Sequence, residues 1–291
     1  MEVDKEKLRS TIYSKIDELP TLPIVVPRIL SLMEKANADA GKITEAISHD
    51  PALTSKILKV ANSAYYGFPQ KITSLDRAVA LLGFNMVKSL AISVGVIRSL
   101  PSKGLSKVFD IEGLWVHSLA VATAMKALAR GAKEEDERET LFIVGLLHDL
   151  GKIILAEFFP DDFAEVLERS KSDPPVLLYE SERRVIGMDH GEVGSMLLSR
   201  WKFPELIITP ISKHHRHEEN GSDYVVEKAA LRVADSLVQE IGIGDGGNPF
   251  PPEMAKEDME ALAIDKEGVD RVRKELSESR EGINGFFQAI Q

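Results

Sequence analysis

The sequence predicts an all-α fold arranged as two helical lobes and a C-terminal helical tail. Three observations carry that expectation. Apolar residues recur at three- and four-residue intervals in almost every segment, no run alternates apolar and polar residues as a strand would, and polar or Gly/Pro-bearing connections divide the 291 residues into blocks 1–100, 101–241 and 242–291.

In the first block, Pro20, Pro23 and Pro27 punctuate a segment in which Thr21 or Pro23 opens a helix carrying Ile24, Val25, Ile29, Leu30 and Leu32. Residues 43–48 read as a short helix closed by His49, Asp50 and Pro51. Residues 53–61 read as another, with Leu53, Ile57, Leu58 and Ala61 on one face. Tyr65, Tyr66, Gly67, Phe68 and Pro69 make an aromatic turn whose rings suit packing in the core or between lobes. Ser74 is the expected N-cap of a helix through Leu82, and Asn85 of the apolar helix ending near Leu100.

Residues 101–110, polar and carrying Gly104, form the internal boundary. Beyond them the pattern gives a helix over about 112–130, an acidic turn at 134–139, and an apolar helix that stops at His148 and Asp149. Helices over 158–170, up to Trp201, from Pro204 through His215, and over 224–241 follow. Residues 242–252 hold four glycines and three prolines, a linker composition; no strand precedes them, so a phosphate loop is disfavoured. The tail, 253–291, reads as two polar amphipathic helices packed on the body.

Composition narrows the function. A net charge of −10 argues against nucleic acid or an anionic membrane as partner, since both need clustered Lys and Arg. Residues 43–61, with Lys56 and Lys59, mimic a helix-turn-helix, but Leu53, Ile57 and Leu58 would have to leave a core, so no DNA partner is expected. Residues 1–9 are charged and contain no apolar signal core, and no apolar run is long enough to span a bilayer, so the expected location is the cytoplasm. With no cysteine, thiolate chemistry is excluded and any metal site must use His, Asp and Glu.

Side chains of those types stand where polar groups are costly. His117 lies in a helix apolar on nearly every side, as a hydrogen-bonded core residue or as a ligand. His148 and Asp149 terminate an apolar helix, and Asp235 interrupts the apolar pattern of 229–237. Asp189 and Glu192 form a capping box that puts His190 in a first helical turn. His214 and His215 end a helix, where the dipole favours them and where ligands also project. Lys152 suits either a phosphate contact or the helix dipole. Imidazoles and carboxylates without thiolates suit one or two divalent transition-metal ions, Fe, Mn, Ni, Co or Zn. His49 and His217 are read as solvated turn residues.

The order His117, His148, Asp149, Asp235 resembles the ligand signature of the HD superfamily of metal-dependent phosphohydrolases. The N-terminal block resembles its HDOD branch through Leu19-Pro20-Thr21-Leu22-Pro23, Asp50-Pro51-Ala52-Leu53-Thr54, Ala61-Asn62-Ser63-Ala64-Tyr65-Tyr66-Gly67 and Ala78-Val79-Ala80-Leu81-Leu82-Gly83. His190-Gly191-Glu192-Val193-Gly194 and Trp201-Lys202-Phe203-Pro204 continue the likeness, which covers about 19–215.

The resemblance implies an N-terminal HDOD-type lobe, an HD-type metal-binding bundle, and a bacterial signal-transduction or regulatory role through a protein partner. His117, His148, Asp149 and Asp235 match the first metal site of the superfamily. His190, His214 and His215 match the added ligands of its two-metal, cyclic-di-GMP-cleaving branch. That set leaves an active phosphohydrolase on a nucleotide or cyclic dinucleotide as the alternative. Two departures from the branch weigh against cyclic-di-GMP: Gly113 stands where those relatives carry glutamate, and 220–224 lack their closing Gly-Tyr-Pro.

Overall fold

The computed structural model describes residues 2–33, 40–100, 108–216 and 223–290, and every regular element among them is helical. The first six helices are α1 (Glu2–Glu18), α2 (Val25–Met33), α3 (Ala40–Ser48), α4 (Pro51–Ala61), α5 (Leu75–Leu82) and α6 (Phe84–Ser99). Then come α7 (Ile111–Leu128), α8 (Glu135–Leu147), α9 (Leu150–Phe158), α10 (Pro160–Ser170), α11 (Leu178–Val185), α12 (His190–Arg200), α13 (Glu205–Lys213) and α14 (Val225–Ile241). The tail holds α15 (Lys256–Ala261), α16 (Lys266–Glu278) and α17 (Arg280–Ile290). Residues 101–107 of the expected boundary, His217, and 220–222 of the loop motif lie outside the described residues.

Caps fix most boundaries. Asp50 opens α4, accepting from Leu53 N at 2.9 Å with Pro51 at the first helical position, and Ser74 caps α5 as expected. Asn85 does not cap α6. The chain turns by 119° between α5 and α6 at Gly83, which ends one helix and starts the next, leaving no turn for an asparagine cap. The tail has three helices rather than two, because a turn at Leu262 and Ala263 separates α15 from α16, which Asp265 caps.

One hydrophobic cluster runs from Ile12 to Ile290, so the tail contributes to the core of the body. Helix α7 is at its centre, packed against α8, α14, α16 and α17. Its exterior is apolar nearly all round, which is why it is buried. The N-terminal segment is fastened to the end of α12: Arg200 donates to Leu19 O at 2.7 Å and Trp201 Nε1 to Pro20 O at 3.2 Å. Leu53 and Ile57 are fully buried and Lys56 Nζ donates to Ile290 O at 2.6 Å, so the helix-turn-helix mimic faces the tail. The aromatic turn also meets the tail, with Tyr65 edge-on to Phe286 at 5.2 Å. No single helix among the described residues is long and apolar enough to cross a membrane.

Candidate metal centre

Six helices deliver the seven predicted side chains to one place. Helix α7 carries His117 and α14 carries Asp235. The break between α8 and α9 presents His148 and Asp149, the first turn of α12 presents His190, and the end of α13 presents His214 and His215. The break is tight because Gly151 lies against the start of α12: a Cβ there would sit 2.0 Å from His190 O. Both halves of the Asp189/Glu192 capping box form, which sets His190.

His117, His148 and Asp149 offer ligand atoms within 4.8 Å of one another, and so do His190, His214 and His215. Asp235 Oδ1 joins the first group, 3.0 Å from His117 Nε2 and 3.9 Å from His148 Nε2. Asp149 lies between the groups. Its Oδ2 is 3.2 Å from His148 Nε2 and its Oδ1 is 3.1 Å from His190 Nε2. All are buried except His215, which is half-buried.

Hydrogen bonds orient the rings. His148 Nδ1 is 2.7 Å from Gly145 O and His214 Nδ1 is 2.6 Å from Ile211 O. A carbonyl only accepts, so each Nδ1 carries the proton and each Nε2 presents a lone pair inward. His190 Nδ1 is 2.7 Å from Glu182 Oε2. Four inward atoms, His117 Nε2, His148 Nε2, His214 Nε2 and Asp149 Oδ1, are buried without an aligned hydrogen bond, although the nearest ionisable neighbours of the His117, His148 and Asp149 atoms lie at 3.0, 3.2 and 3.1 Å. Lone pairs that converge without donors fit a cation, and the donor set of imidazoles and carboxylates suits a divalent transition metal.

The electrostatics agree. Burial raises the Asp149 carboxyl, but His148, Lys152 and His190 outweigh it and hold the group well below the usual carboxylate range. Asp235 is likewise lowered despite burial, chiefly by His117 and then His148. Burial lowers His214 and His215 well below the ordinary imidazole value, with neighbouring imidazoles adding to the effect, so both are neutral and able to ligate. His190 is the exception: burial works to lower it, yet the Glu182 charge prevails and pushes it up to about 9, so it must give up a proton to ligate.

The sequence profile of the HDOD domain matches residues 19–217. The chain belongs to the HDOD family. An uncharacterised protein of Treponema pallidum is 26% identical over 246 residues, covering 84% of this chain; the chain spans 46% of that protein's length. Among solved structures, an HDOD domain protein of unknown function from Geobacter sulfurreducens is similar with a TM-score of 0.75 at 22% identity, covering 97% of this chain and 99% of its own. A Marinobacter aquaeolei protein, provisionally described as a signal transduction protein, gives a TM-score of 0.80 at 21% identity, covering 99% of this chain and 66% of its own. At such identities the structures establish the shared fold.

Two features of this HDOD centre escape sequence reasoning. Glu182 is fully buried and contacts both the backbone N and Nδ1 of His190, but nothing in its surroundings on α11 separates it from a surface glutamate of an amphipathic helix. The glycine-rich segment read as a linker is a strap across the centre. Lys152 Nζ donates to Gly246 O and to Asp149 Oδ2, both at 2.7 Å. Asp245 N donates to Gly113 O at 2.9 Å, and Gly244, at φ +70°, approaches so closely that a Cβ there would lie 2.2 Å from His117 N. Lys152, 1% exposed, thus faces Asp149 and the strap instead of capping a helix at the surface.

Proposed function

We propose that this HDOD chain is a signal-transduction module whose HD-type bundle holds one or two divalent transition-metal ions. His117, His148, Asp149 and Asp235 form the first ligand set, and His190, His214 and His215 the second. The observation that carries this reading is the convergence of seven imidazole and carboxylate side chains under the strap, four of whose inward atoms, on His117, His148, Asp149 and His214, are buried without a hydrogen-bond partner. Such ions act as Lewis acids and cross-link the helices that ligate them. Glu182 orients His190, backbone carbonyls set the tautomers of His148 and His214, and Lys152 compensates Asp149 while fastening the strap.

The closed strap supports a structural or signalling role for the centre over turnover. A Cβ at Gly113 would stand 2.5 Å from the capping Asp110 carboxylate and 3.2 Å from the strap's Asp245 Cβ, so a glutamate at that position would crowd both the helix cap and the strap. The signalling description of the Marinobacter protein of like fold is in keeping with this role and with a protein partner.

The alternative is a metal-dependent phosphohydrolase acting on a nucleotide or cyclic dinucleotide. The adjacency of two three-ligand groups sharing Asp149 favours it, with Lys152 reaching a phosphate once the strap lifts. Incubating metal-loaded protein with a panel of nucleotides and cyclic dinucleotides, beside His148→Ala, separates the two. The signalling reading expects bound metal and no turnover above the variant; metal-dependent hydrolysis lost in His148→Ala replaces it with the enzyme reading.

A further inference from the structure

A cavity of about 320 Å³ lies where four parts of the chain meet: the aromatic turn after α4, the C-terminal half of α7, the start of α8, and tail helix α16. Its wall includes Lys126, Arg130, Arg138 and Glu275, with the Glu139 carboxylate behind Lys126 and with Tyr65 and Leu276 as apolar surface. Three cations around one small cavity stand out in a chain of net charge −10. On α7, Lys126 is nine residues from His117, about 13 Å along the helix, so the cavity is separate from the metal centre.

The three cations are not equally satisfied. Lys126 reaches Glu139 at 2.5 Å, and Arg130 takes Glu275 through two bonds of 2.8 Å. Arg138 has no carboxylate within ion-pairing distance among the described residues; its Nε has no acceptor and is shut off from solvent, so a ligand in the cavity would have to meet its terminal guanidinium nitrogens. A buried guanidinium N–H without an acceptor is disfavoured, and a planar fork is the group best matched to an oxyanion. The Arg130–Glu275 pair is about half exposed on both sides, so little stability is lost if Arg130 turns to a competing anion.

We propose that this cavity binds a small oxyanion-bearing metabolite, a phosphate or carboxylate taken by Arg138 with Lys126 and Arg130 beside it. The volume is at the lower end of ligand sites, which suits one compact molecule and not a dinucleotide. The occupant would touch the N-terminal block, α7, α8 and the tail at once, so binding stabilises their docking. This assignment does not depend on the function of the metal centre.

The test titrates the full chain with inorganic phosphate, pyrophosphate and citrate, following the Arg138 Nε–H resonance by NMR and the melting temperature. The proposal expects a saturable shift of that resonance and a rise in melting temperature. Affinity should be at least about tenfold weaker in Arg138→Gln and unchanged in Lys71→Gln, an exposed cation that does not line the cavity. Saturation by the phosphates alone assigns a phosphorylated ligand, and by citrate alone a carboxylate. A shift that does not saturate, or that sodium chloride reproduces, overturns the proposal. Should Arg138→Gln fail to fold, the wild-type titration still decides.

Discussion

His190 and His215 face each other Nε2 to Nε2 at 2.8 Å. Two ring nitrogens at that distance share either a proton or a metal ion, since two lone pairs would repel. Glu182 holds the other nitrogen of His190, and Asp149 stands 3.1 Å from the same Nε2. His190 thus has a carboxylate at each ring nitrogen, and Glu182 fixes its outer nitrogen as the outer nitrogen of a metal-ligating imidazole is fixed.

Glu182→Gln tests that support. The amide keeps the shape and loses the charge, which is the main influence raising His190. In metal-free protein the His190 imidazole should titrate well below about 9, read from its ring proton shifts. Metal affinity should fall about 10–100-fold, read by competition with a chelating dye. An unchanged titration and affinity would remove Glu182 from the centre.

Lys152→Met leaves the buried Asp149 carboxylate without its cation and the strap without its anchor. Metal-free protein should lose about 3–5 kcal/mol in urea unfolding, with the gap narrowing when a divalent metal replaces the missing charge. Hydrogen exchange at Gly244 through Gly247 should speed up in the variant. Unchanged exchange there would show that the strap is held by other contacts.

Gly151→Ala forces a Cβ into the backbone of α12, 2.0 Å from His190 O. Helix α9 must then move away from α12, at a cost of about 3 kcal/mol or more, the upper end for overpacking. Because the shift draws Asp149, at the start of α9, away from His190, metal affinity and melting temperature should fall together. A variant that melts like the parent would contradict the close packing of the two helix starts.

The tail docks partly through Glu275 and Arg130. The Arg130 guanidinium hydrogen-bonds the Glu275 carboxylate and holds it below its ordinary value of 4.5, burial opposing. A depressed carboxylate contributes stability above its unfolded value, lost as pH falls from about 4.5 through the lower folded one. Since both side chains are about half exposed, solvent screens the pair and its contribution stays under about 1 kcal/mol. Glu275→Gln should therefore lower the melting temperature slightly at pH 7, and the difference from the parent should shrink as the pH falls below 4.5 and vanish once it is below the folded value. A difference that persists in acid would trace to something other than this charge.

The all-α class was legible because helical spacing governs nearly the whole chain, and the HDOD motifs because they are short and local. Four of the seven candidate ligands stand out for a physical reason: His117 and Asp235 interrupt apolar helical faces, and His148 with Asp149 ends one, where unpaired polar groups are costly. His190, His214 and His215 have ordinary readings at helix ends and join the set through the family resemblance. Glu182 and the strap do neither. A second carboxylate on an amphipathic helix looks solvated until α12 is placed beside it, and glycine-rich composition signals backbone freedom without saying what the backbone covers. The missed cap at Asn85 has the same origin, since only the 119° turn at Gly83 shows that no room remains for it.

Metal content per chain, measured on protein purified without added metal or chelator, tests the central claim most directly. The account predicts one or two divalent transition-metal ions per chain, reduced in His215→Ala and lost in a folded His148→Ala/Asp149→Ala double variant. Folded wild-type protein that carries no such ion, and whose melting temperature is unmoved by Mn, Fe, Co, Ni or Zn, would contradict it.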